Sequence, residues 1–479
     1  MIIFTACPEK IKKNRKKQFQ GLEVFDAGAK GKSVAKAPDG KIVFLSDAIP
    51  GDVVDVQTFK KRKGYYEAKT TKFHKFSEDR TAPSCEHFGS CGGCKWQYMK
   101  YAKQLFFKQK EVTNNLQRIG KVELPEVTTI LGSNNPFFYR NKMEFSFSNS
   151  RWLSQDEINS DQPIHNRNAL GFHIPGMWDK ILDINKCWLQ VDPSNSIRNG
   201  LKLFATSNDI PFFDPRNQSG VLRTLMIRTS SIGEIMVLVQ FYTATQKQIE
   251  TVLDFLKTSH PEITALLYVV NPKRNDTIYD QKVICYHGRD YIVESMEGLH
   301  FKINAKSFYQ TNSEQAYNLY KITRDFAELT GNEIVYDLYT GTGTIAQFVA
   351  KKARKVIGIE AVPDAIKAAK DNALHNKIQN VDFFVGDMKR IFNDAFIETH
   401  GQPDVVITDP PRDGMHKEVV QQILKIQPSK IVYVSCNSAT QARDLALMDA
   451  TYKVARTQAV DMFPQTYHVE NVVLLEKRI

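Results

Sequence analysis

Nothing in this 479-residue sequence approaches the ~20 consecutive apolar residues that a membrane-spanning helix needs. The start lacks the layout of a secretory signal, because Met1 to Cys7 is apolar for only a few residues and the charges follow them. An even set of cysteines is missing too. Seven cysteines in a chain without a leader pattern argue against a disulfide framework. There are no internal repeats, and low complexity is confined to a basic stretch near the N-terminus. With 42% hydrophobic and 24% charged residues, the expectation is a globular cytoplasmic protein. Its length suits about three domains, and nothing in it asks for an obligate dimer, so a monomer is expected.

Positive charge is plentiful. The formal net charge is +11, and residues 1–80 hold 18 Lys and Arg against 10 Asp and Glu, so most of the excess sits in the first sixth of the chain. That is a footprint for a polyanion. Residues 1–17 read as a basic arm. Residues 18–77 read as all-β: short runs such as Lys41–Leu45 and Val53–Val56 are separated by the turn pairs Asp39-Gly40 and Pro50-Gly51. This spacing suits a five-stranded barrel of the OB type. Lys60-Lys61-Arg62-Lys63 followed by Tyr65 and Tyr66 puts charge beside aromatics, as single-stranded nucleic acid requires.

Residues 78–300 read as a central α+β region. Three of the seven cysteines crowd into Cys85-x5-Cys91-Gly92-Gly93-Cys94, a spacing that points to a metal centre. Four thiolates fit tetrahedral zinc as well as an iron–sulfur cluster, and Cys187, 93 residues beyond Cys94, is the nearest fourth candidate. A helix is expected over about Trp96 to Arg118, then a basic patch Tyr139-Arg140-Asn141-Lys142 leading into a strand, and a polar loop at 151–170.

Residues 301–479 alternate strands with helices, the pattern of a doubly wound α/β sheet. Its first turn, Asp337-Leu338-Tyr339-Thr340-Gly341-Thr342-Gly343, follows a strand and opens a helix. Glu360 ends the next strand, 19 residues after Gly341, where a carboxylate can hold two ribose hydroxyls. This combination indicates a nucleoside cofactor without separating NAD from S-adenosylmethionine (SAM). Asp409-Pro410-Pro411-Arg412 is a stiff acidic turn after strand Val405–Thr408. The apolar run Ile431–Val434 leads into Ser435, Cys436 and Asn437, so the Cys436 thiol stands at the carboxyl end of a strand, where such sheets carry ligands. A cysteine in that position is more often a packed core thiol. What raises its standing is the company of Glu470, in His468-Val469-Glu470-Asn471. A nucleophilic thiol, a carboxylate base and a methyl donor are what methylation of a pyrimidine ring carbon requires.

Taken together, residues 431–444 (IVYVSCNSATQARD), Asp409–Gly414, Asp337–Gly343, Phe308-Tyr309-Gln310-Thr311-Asn312 and the terminal HVEN resemble the SAM-dependent RNA uracil-5 methyltransferases. The four-cysteine pattern and the N-terminal barrel, which resembles a TRAM domain, are similar to the branch that modifies 23S ribosomal RNA and carries a [4Fe-4S] cluster. The resemblance implies a Rossmann-like SAM-methyltransferase domain at the C-terminus, an RNA-binding OB-like barrel, and a central α+β domain carrying a metal cluster. It implies that Cys436 attacks C6 of the uracil and that Glu470 removes the C5 proton. It places Gln310, Tyr339, Glu360, Asp387 and Asp409 at the SAM site, and Cys85, Cys91, Cys94 and Cys187 at the cluster. Thr340 stands where the family often has Cys. Two other readings remain: a methyltransferase acting on tRNA uracil or on a base amino group, whose D-P-P motif is followed by an aromatic where this chain has Arg412, and a non-catalytic RNA-binding factor.

Overall fold

The computed structural model describes residues 16–478 except 161 and 165. Most of the basic arm, together with Cys7, lies outside the described residues. The described chain forms two compact units, one ending at Ala82 and including Tyr98–Lys103, the other made of Pro83–Gln97 and everything from Gln104.

In the first unit, β1 (Gln18–Ala27), β2 (Ser33–Lys36), β3 (Ile42–Leu45), β4 (Val53–Lys61) and β5 (Tyr65–Lys75) close into a barrel in the order β1-β2-β3-β5-β4. Alternation does the work. Val54, Val56, Val43, Leu45 and Ala68 point inward, while their neighbours along each strand face out. Tyr66 is a correction to the sequence reading. It is 0% exposed, a core residue whose hydroxyl donates to Asp39 Oδ2 at 2.6 Å, so it offers no face to a base. Phe59, next to the basic run, is 62% exposed instead.

The second unit holds two seven-stranded sheets. The first comprises β6 (Lys142–Ser148), β7 (Ala169–His173), β8 (Ile181–Asp183), β9 (Leu222–Thr229), β10 (Ile235–Phe241), β11 (Ala265–Val270) and β12 (Ile284–Gly288), in the order β12-β11-β10-β9-β6-β7-β8. Helices Ser194–Ser207 and Gln246–Ser259 cover one face. Met226, Leu238 and Leu267 on the other face enter a core shared with the hairpin β13 (Tyr291–Met296) and β14 (Leu299–Asn304) and with helix Ser313–Ala327. The 151–170 stretch is irregular apart from a short helix, Gln155–Asn159, started by a Ser154/Glu157 capping box.

The second sheet comprises β15 (Ile334–Leu338), β16 (Lys355–Glu360), β17 (Val381–Val385), β18 (Val405–Thr408), β19 (Lys430–Ser435), β20 (Tyr452–Val460) and β21 (Glu470–Lys477), in the order β17-β16-β15-β18-β19-β21-β20. β15 to β19 are parallel, and β21 runs antiparallel between β19 and β20. Both faces are buried. Val432, Val434, Val472 and Leu474 face the core built with helices Ser313–Ala327 and Thr344–Ala350; Ile431, Tyr433, Val473 and Leu475 face helices Lys417–Ile426 and Ser438–Met448. The winding direction reverses between β15 and β18, and the carboxyl ends at such a switch point are where open α/β sheets carry ligands.

Two elements depart from expectation. The helix expected from Trp96 begins at Tyr101, because the amides of Lys95 and Trp96 are taken by the Gln465 carbonyl instead of starting a helix. β20 gave no clear sequence signal, because a bulge between Val454 and Arg456 breaks its alternation.

Candidate active site

The loop after β15 carries the first groups of the crevice. Tyr339, Gly341 and Gly343 all have positive φ, of 64, 57 and 74°. The two glycines serve different ends. A Cβ on Gly343 would stand 2.6 Å from Phe383 Cζ and 2.9 Å from Ala369 Cβ, so this glycine lets the turn pack on the sheet and helix. A Cβ on Gly341 would meet nothing within 4 Å, so that backbone faces open space. Gly341 N–H donates to Glu360 Oε2 at 3.2 Å, and Ala361 and Val362 donate to Oε1 at 2.7 and 3.0 Å, fixing the carboxylate at the end of β16. Thr340, at the position where the family often has Cys, donates to Asp337 Oδ2 at 2.5 Å.

Carboxyls collect on this edge. Asp387 caps the short helix after β17. Together with Asp444 and Glu360 it adds to the burial that pushes the Tyr339 hydroxyl up to about 12. Asp337 is fully buried and pushed up to about 7, and its Oδ1 has no partner. Asp409, at the end of β18, is pushed to about 7 as well, by burial and by Asp337. Two carboxyls pushed up toward neutrality, the buried Asp337 with an unused oxygen and the partly buried Asp409, suit a cationic ligand. Tyr320 backs the cluster from helix Ser313–Ala327, with Asp409, Asp337 and Glu470 close enough to raise its hydroxyl further above a value already set by burial. Gln310 lies in the turn before that helix, where its carbonyl accepts from Asn141 Nδ2 at 2.9 Å.

Cys436 follows β19 directly. Ser435 pairs with Asn471 across to β21, so Cys436 and Glu470 are the next residues along the same two facing strands. The thiol is half-buried and pushed up to about 11, by burial first and then by the Glu470 and Asp409 carboxyls. The Arg412 guanidinium opposes this, pulling the thiol back down. Burial and Asp409 hold the Glu470 carboxyl well above the usual range, again opposed by Arg412. Arg412 was quoted in the sequence only as the residue after Pro410-Pro411; the structure makes it the cation of the site. Its carbonyl accepts from Asn437 Nδ2 at 2.9 Å and from Thr440 Oγ1 at 3.0 Å, which ties the proline turn to the start of helix Ser438–Met448. Asn471 was also missed. Buried, it donates to Gln441 Oε1 at 2.8 Å and accepts from Thr457 Oγ1 at 3.2 Å, fixing the strand end that carries Glu470. Its only sequence signal was its place beside Glu470.

The other cysteines meet elsewhere. Cys85, Cys91, Cys94 and Cys187 line one cavity of about 400 Å³, so the 93-residue gap before Cys187 is closed in space. Phe88, Met143, Phe172 and Leu189 supply apolar walls, and Arg140 reaches the rim. Burial, reinforced by the neighbouring thiols, pushes Cys91 to about 11 and Cys94 to about 12; burial raises Cys85 and Cys187 as well. Gly92 has φ 76°, and a Cβ there would lie 2.3 Å from Pro175 Cγ. Asn195 brackets Cys187 from both sides, accepting from its amide at 2.8 Å and donating to its carbonyl at 3.2 Å. The charge of Arg198 is felt at Cys187; this guanidinium is fully buried, with Nε and Nη1 unpartnered. The expected metal centre is not present as a tight ligand set: among the described residues, no three His, Cys, Asp or Glu side chains are grouped to hold a metal ion.

Comparison with known proteins follows the same lines. Residues 278–478 match the family described as tRNA (Uracil-5-)-methyltransferase. An RNA methyltransferase of Bacteroides thetaiotaomicron, itself described as uncharacterized, is 57% identical over 453 residues, covering 94% of this chain and all of that one. One from Chlorobaculum tepidum, described in the same way, is 38% identical over 97% of each chain. Among solved structures, the tRNA (uracil-54, C5)-methyltransferase of Pyrococcus abyssi in complex with S-adenosyl-L-homocysteine has a TM-score of 0.74 and 27% identity, over 95% of this chain and 100% of that one. With its doubly wound sheet, its loops at the switch point and these relatives, the chain belongs to the SAM-dependent RNA uracil-5 methyltransferase family.

Proposed function

We propose that this protein methylates C5 of a uracil in 23S ribosomal RNA, with Cys436 as nucleophile and Glu470 as base. The observation that carries the chemistry is that Cys436 directly follows β19 and Glu470 begins β21, next to the paired Ser435 and Asn471, with the Glu470 charge felt at the thiol. C5 of uracil is a weak nucleophile. Addition of the Cys436 thiolate to C6 turns the ring into an enolate whose C5 attacks the methyl group. Glu470 then takes the C5 proton, the C5–H pair forms the C5=C6 bond, and the C6–S bond breaks. Arg412 favours the thiolate, because its positive charge pulls the thiol down. The target base must leave its stack to reach the thiol.

The S-adenosyl-L-homocysteine complex of the archaeal relative supports SAM as the methyl donor here. Glu360, Asp387, Tyr339 and the Gln310 turn are the groups to hold it, and Asp409 and the unpaired Asp337 oxygen fit its cationic end. For the thiol cavity we infer a [4Fe-4S] cluster held by Cys85, Cys91, Cys94 and Cys187, which supplies structure and takes no part in the methyl transfer. The four cysteines line one cavity, and the resemblance carried by their spacing favours the cluster over zinc. Unpartnered guanidinium nitrogens on Arg140 and Arg198 fit an anionic group. Residues 18–77 serve as the RNA-binding TRAM barrel, 78–300 as the central domain and 301–479 as the methyltransferase domain.

Barrel and thiol cavity favour ribosomal RNA, through the resemblance they carry. The second reading is tRNA uracil, favoured because an enzyme named for tRNA uracil-54 overlies 95% of the chain. One experiment addresses both. With SAM, 23S ribosomal RNA containing 5-fluorouridine should form a stable covalent complex, since fluorine cannot leave as a proton, and Cys436→Ala should abolish it. A complex with fluorinated tRNA alone makes tRNA the substrate; a complex that survives Cys436→Ala removes this cysteine as the nucleophile.

A further inference from the structure

The loop between β20 and β21 leads directly to Glu470, and it is gripped by the segment that follows the cysteine pair. Gln465 sits at the centre of the grip. It is buried and has φ 66°, a left-handed conformation that a residue other than glycine keeps only when its surroundings insist. Its carbonyl accepts from the amides of Lys95 and Trp96 at 2.8 and 3.1 Å, directly after Cys94. Its amide donates to Gln104 Oε1 at 3.0 Å, and its Oε1 accepts from Gln104 Nε2 at 3.0 Å. Gln104 Nε2 also donates to the Trp96 carbonyl at 3.0 Å, closing a triangle of Gln104, Trp96 and Gln465. The rest of the loop is fastened on either side. Lys108 and Asp461 form an ion pair at 2.5 Å with both side chains at 0% exposure, and Lys108 Nζ donates to the Phe463 carbonyl at 3.1 Å. The Tyr139 hydroxyl donates to the Pro464 carbonyl at 3.0 Å. Arg140, which lines the cavity, lies over the Phe463 ring at 6.0 Å.

We propose that Gln465 is a positioning residue, through which the segment carrying Cys91 and Cys94 sets where the Glu470 carboxyl stands. The proposal rests on the reading of Glu470 as the base. Its consequence is confined to one step: C6–S bond formation and methyl transfer need Cys436 and the donor, whereas removal of the C5 proton, with return of the electron pair to C5=C6 and release of the thiolate, needs Glu470 in place. A Gln465 defect should therefore stall the reaction after methylation, with the methylated base still bonded to sulfur.

The test uses the full-length protein, SAM and ordinary uridine-containing ribosomal RNA. Gln465→Met keeps the side-chain length and removes the side-chain hydrogen bond that Gln465 Oε1 accepts from Gln104, with the one its Nε2 donates to the Pro136 carbonyl at 3.5 Å. We expect multiple-turnover kcat to fall about 10–100-fold, with KM for SAM unchanged. The first-turnover methyl incorporation should stay within about threefold of wild type, and a protein–RNA adduct should accumulate on denaturing gels. Gln104→Met, which removes the same brace from the other side, should do the same and serves if Gln465→Met does not fold. If first-turnover methylation falls in step with kcat and no adduct gathers, Gln465 merely stabilises the loop and the proposal is wrong. Wild type trapped on 5-fluorouridine RNA is the control. Trapping without adduct in the brace variants overturns this inference alone; absence of trapping by wild type overturns the reading beneath it.

Discussion

The two cysteine sites of this molecule have raised thiols for different reasons. In the pocket of Cys85, Cys91, Cys94 and Cys187 the causes are apolar burial first and then the neighbouring thiols, with Glu86 also raising Cys85 and the cations Lys95, Arg140 and Arg198 opposing. At Cys436 burial is joined by two carboxyls, and a single guanidinium opposes them. The direction of the shift therefore does not separate a ligand thiol from a nucleophile. The neighbours differ: four cysteines line one cavity, as the proposed shared group requires, whereas Cys436 lies near a carboxyl and a guanidinium, as the proposed bond making and breaking requires.

Substitutions can break this contrast. The largest effect should come from Glu470→Gln, which removes the base and keeps the shape. Turnover should fall about 10²–10⁴-fold while the adduct with ordinary RNA accumulates; a variant that turns over at the wild-type rate would assign the base elsewhere. Arg412→Gln should lower kcat/KM about 3–10-fold at neutral pH, because the charge that favours the thiolate is lost. Arg412 pulls the thiol down, so its loss raises the thiol further and should move the rising limb of the kcat/KM–pH profile to higher pH. A limb that stays put would mean that Arg412 does not act on the sulfur. In the pocket, Gly92→Ala forces a Cβ onto Pro175 at φ 76° and should cost about 1–3 kcal/mol, read from thermal or denaturant unfolding; an unchanged midpoint would show that the cysteine loop can yield. The smallest effect on the methylation chemistry should follow Cys91→Ser. Absorbance near 400 nm should vanish while the yield of 5-fluorouridine adduct stays within about threefold of wild type. A colourless, zinc-loaded wild type would dismiss the cluster.

Much of this was legible in the sequence because local chemistry and fold agree there. The Gly341 loop, Glu360, Asp409 and Cys436 each end a strand of strongly apolar residues, and strand ends in an open α/β sheet converge. The barrel showed through its alternation, although Tyr66 proved to be core, because aromatic type alone does not reveal which face of a strand a residue takes. What stayed hidden depends on pairing across long separations. The part played by Arg412 needs β18 beside β19, and that of Asn471 needs the antiparallel insertion of β21. The Gln104–Gln465 brace joins residues 361 positions apart, and no local pattern announces such a partnership.

The thiol pocket draws on a tight cluster and on one distant residue. At typical synthesis rates, the 93 residues between Cys94 and Cys187 take about 5–20 s to emerge from a ribosome. For that interval a nascent chain presents three thiols without their fourth companion. The proposed cluster would be completed only once Cys187 emerges, and oxidation of the three early thiols has its easiest opening before the pocket closes.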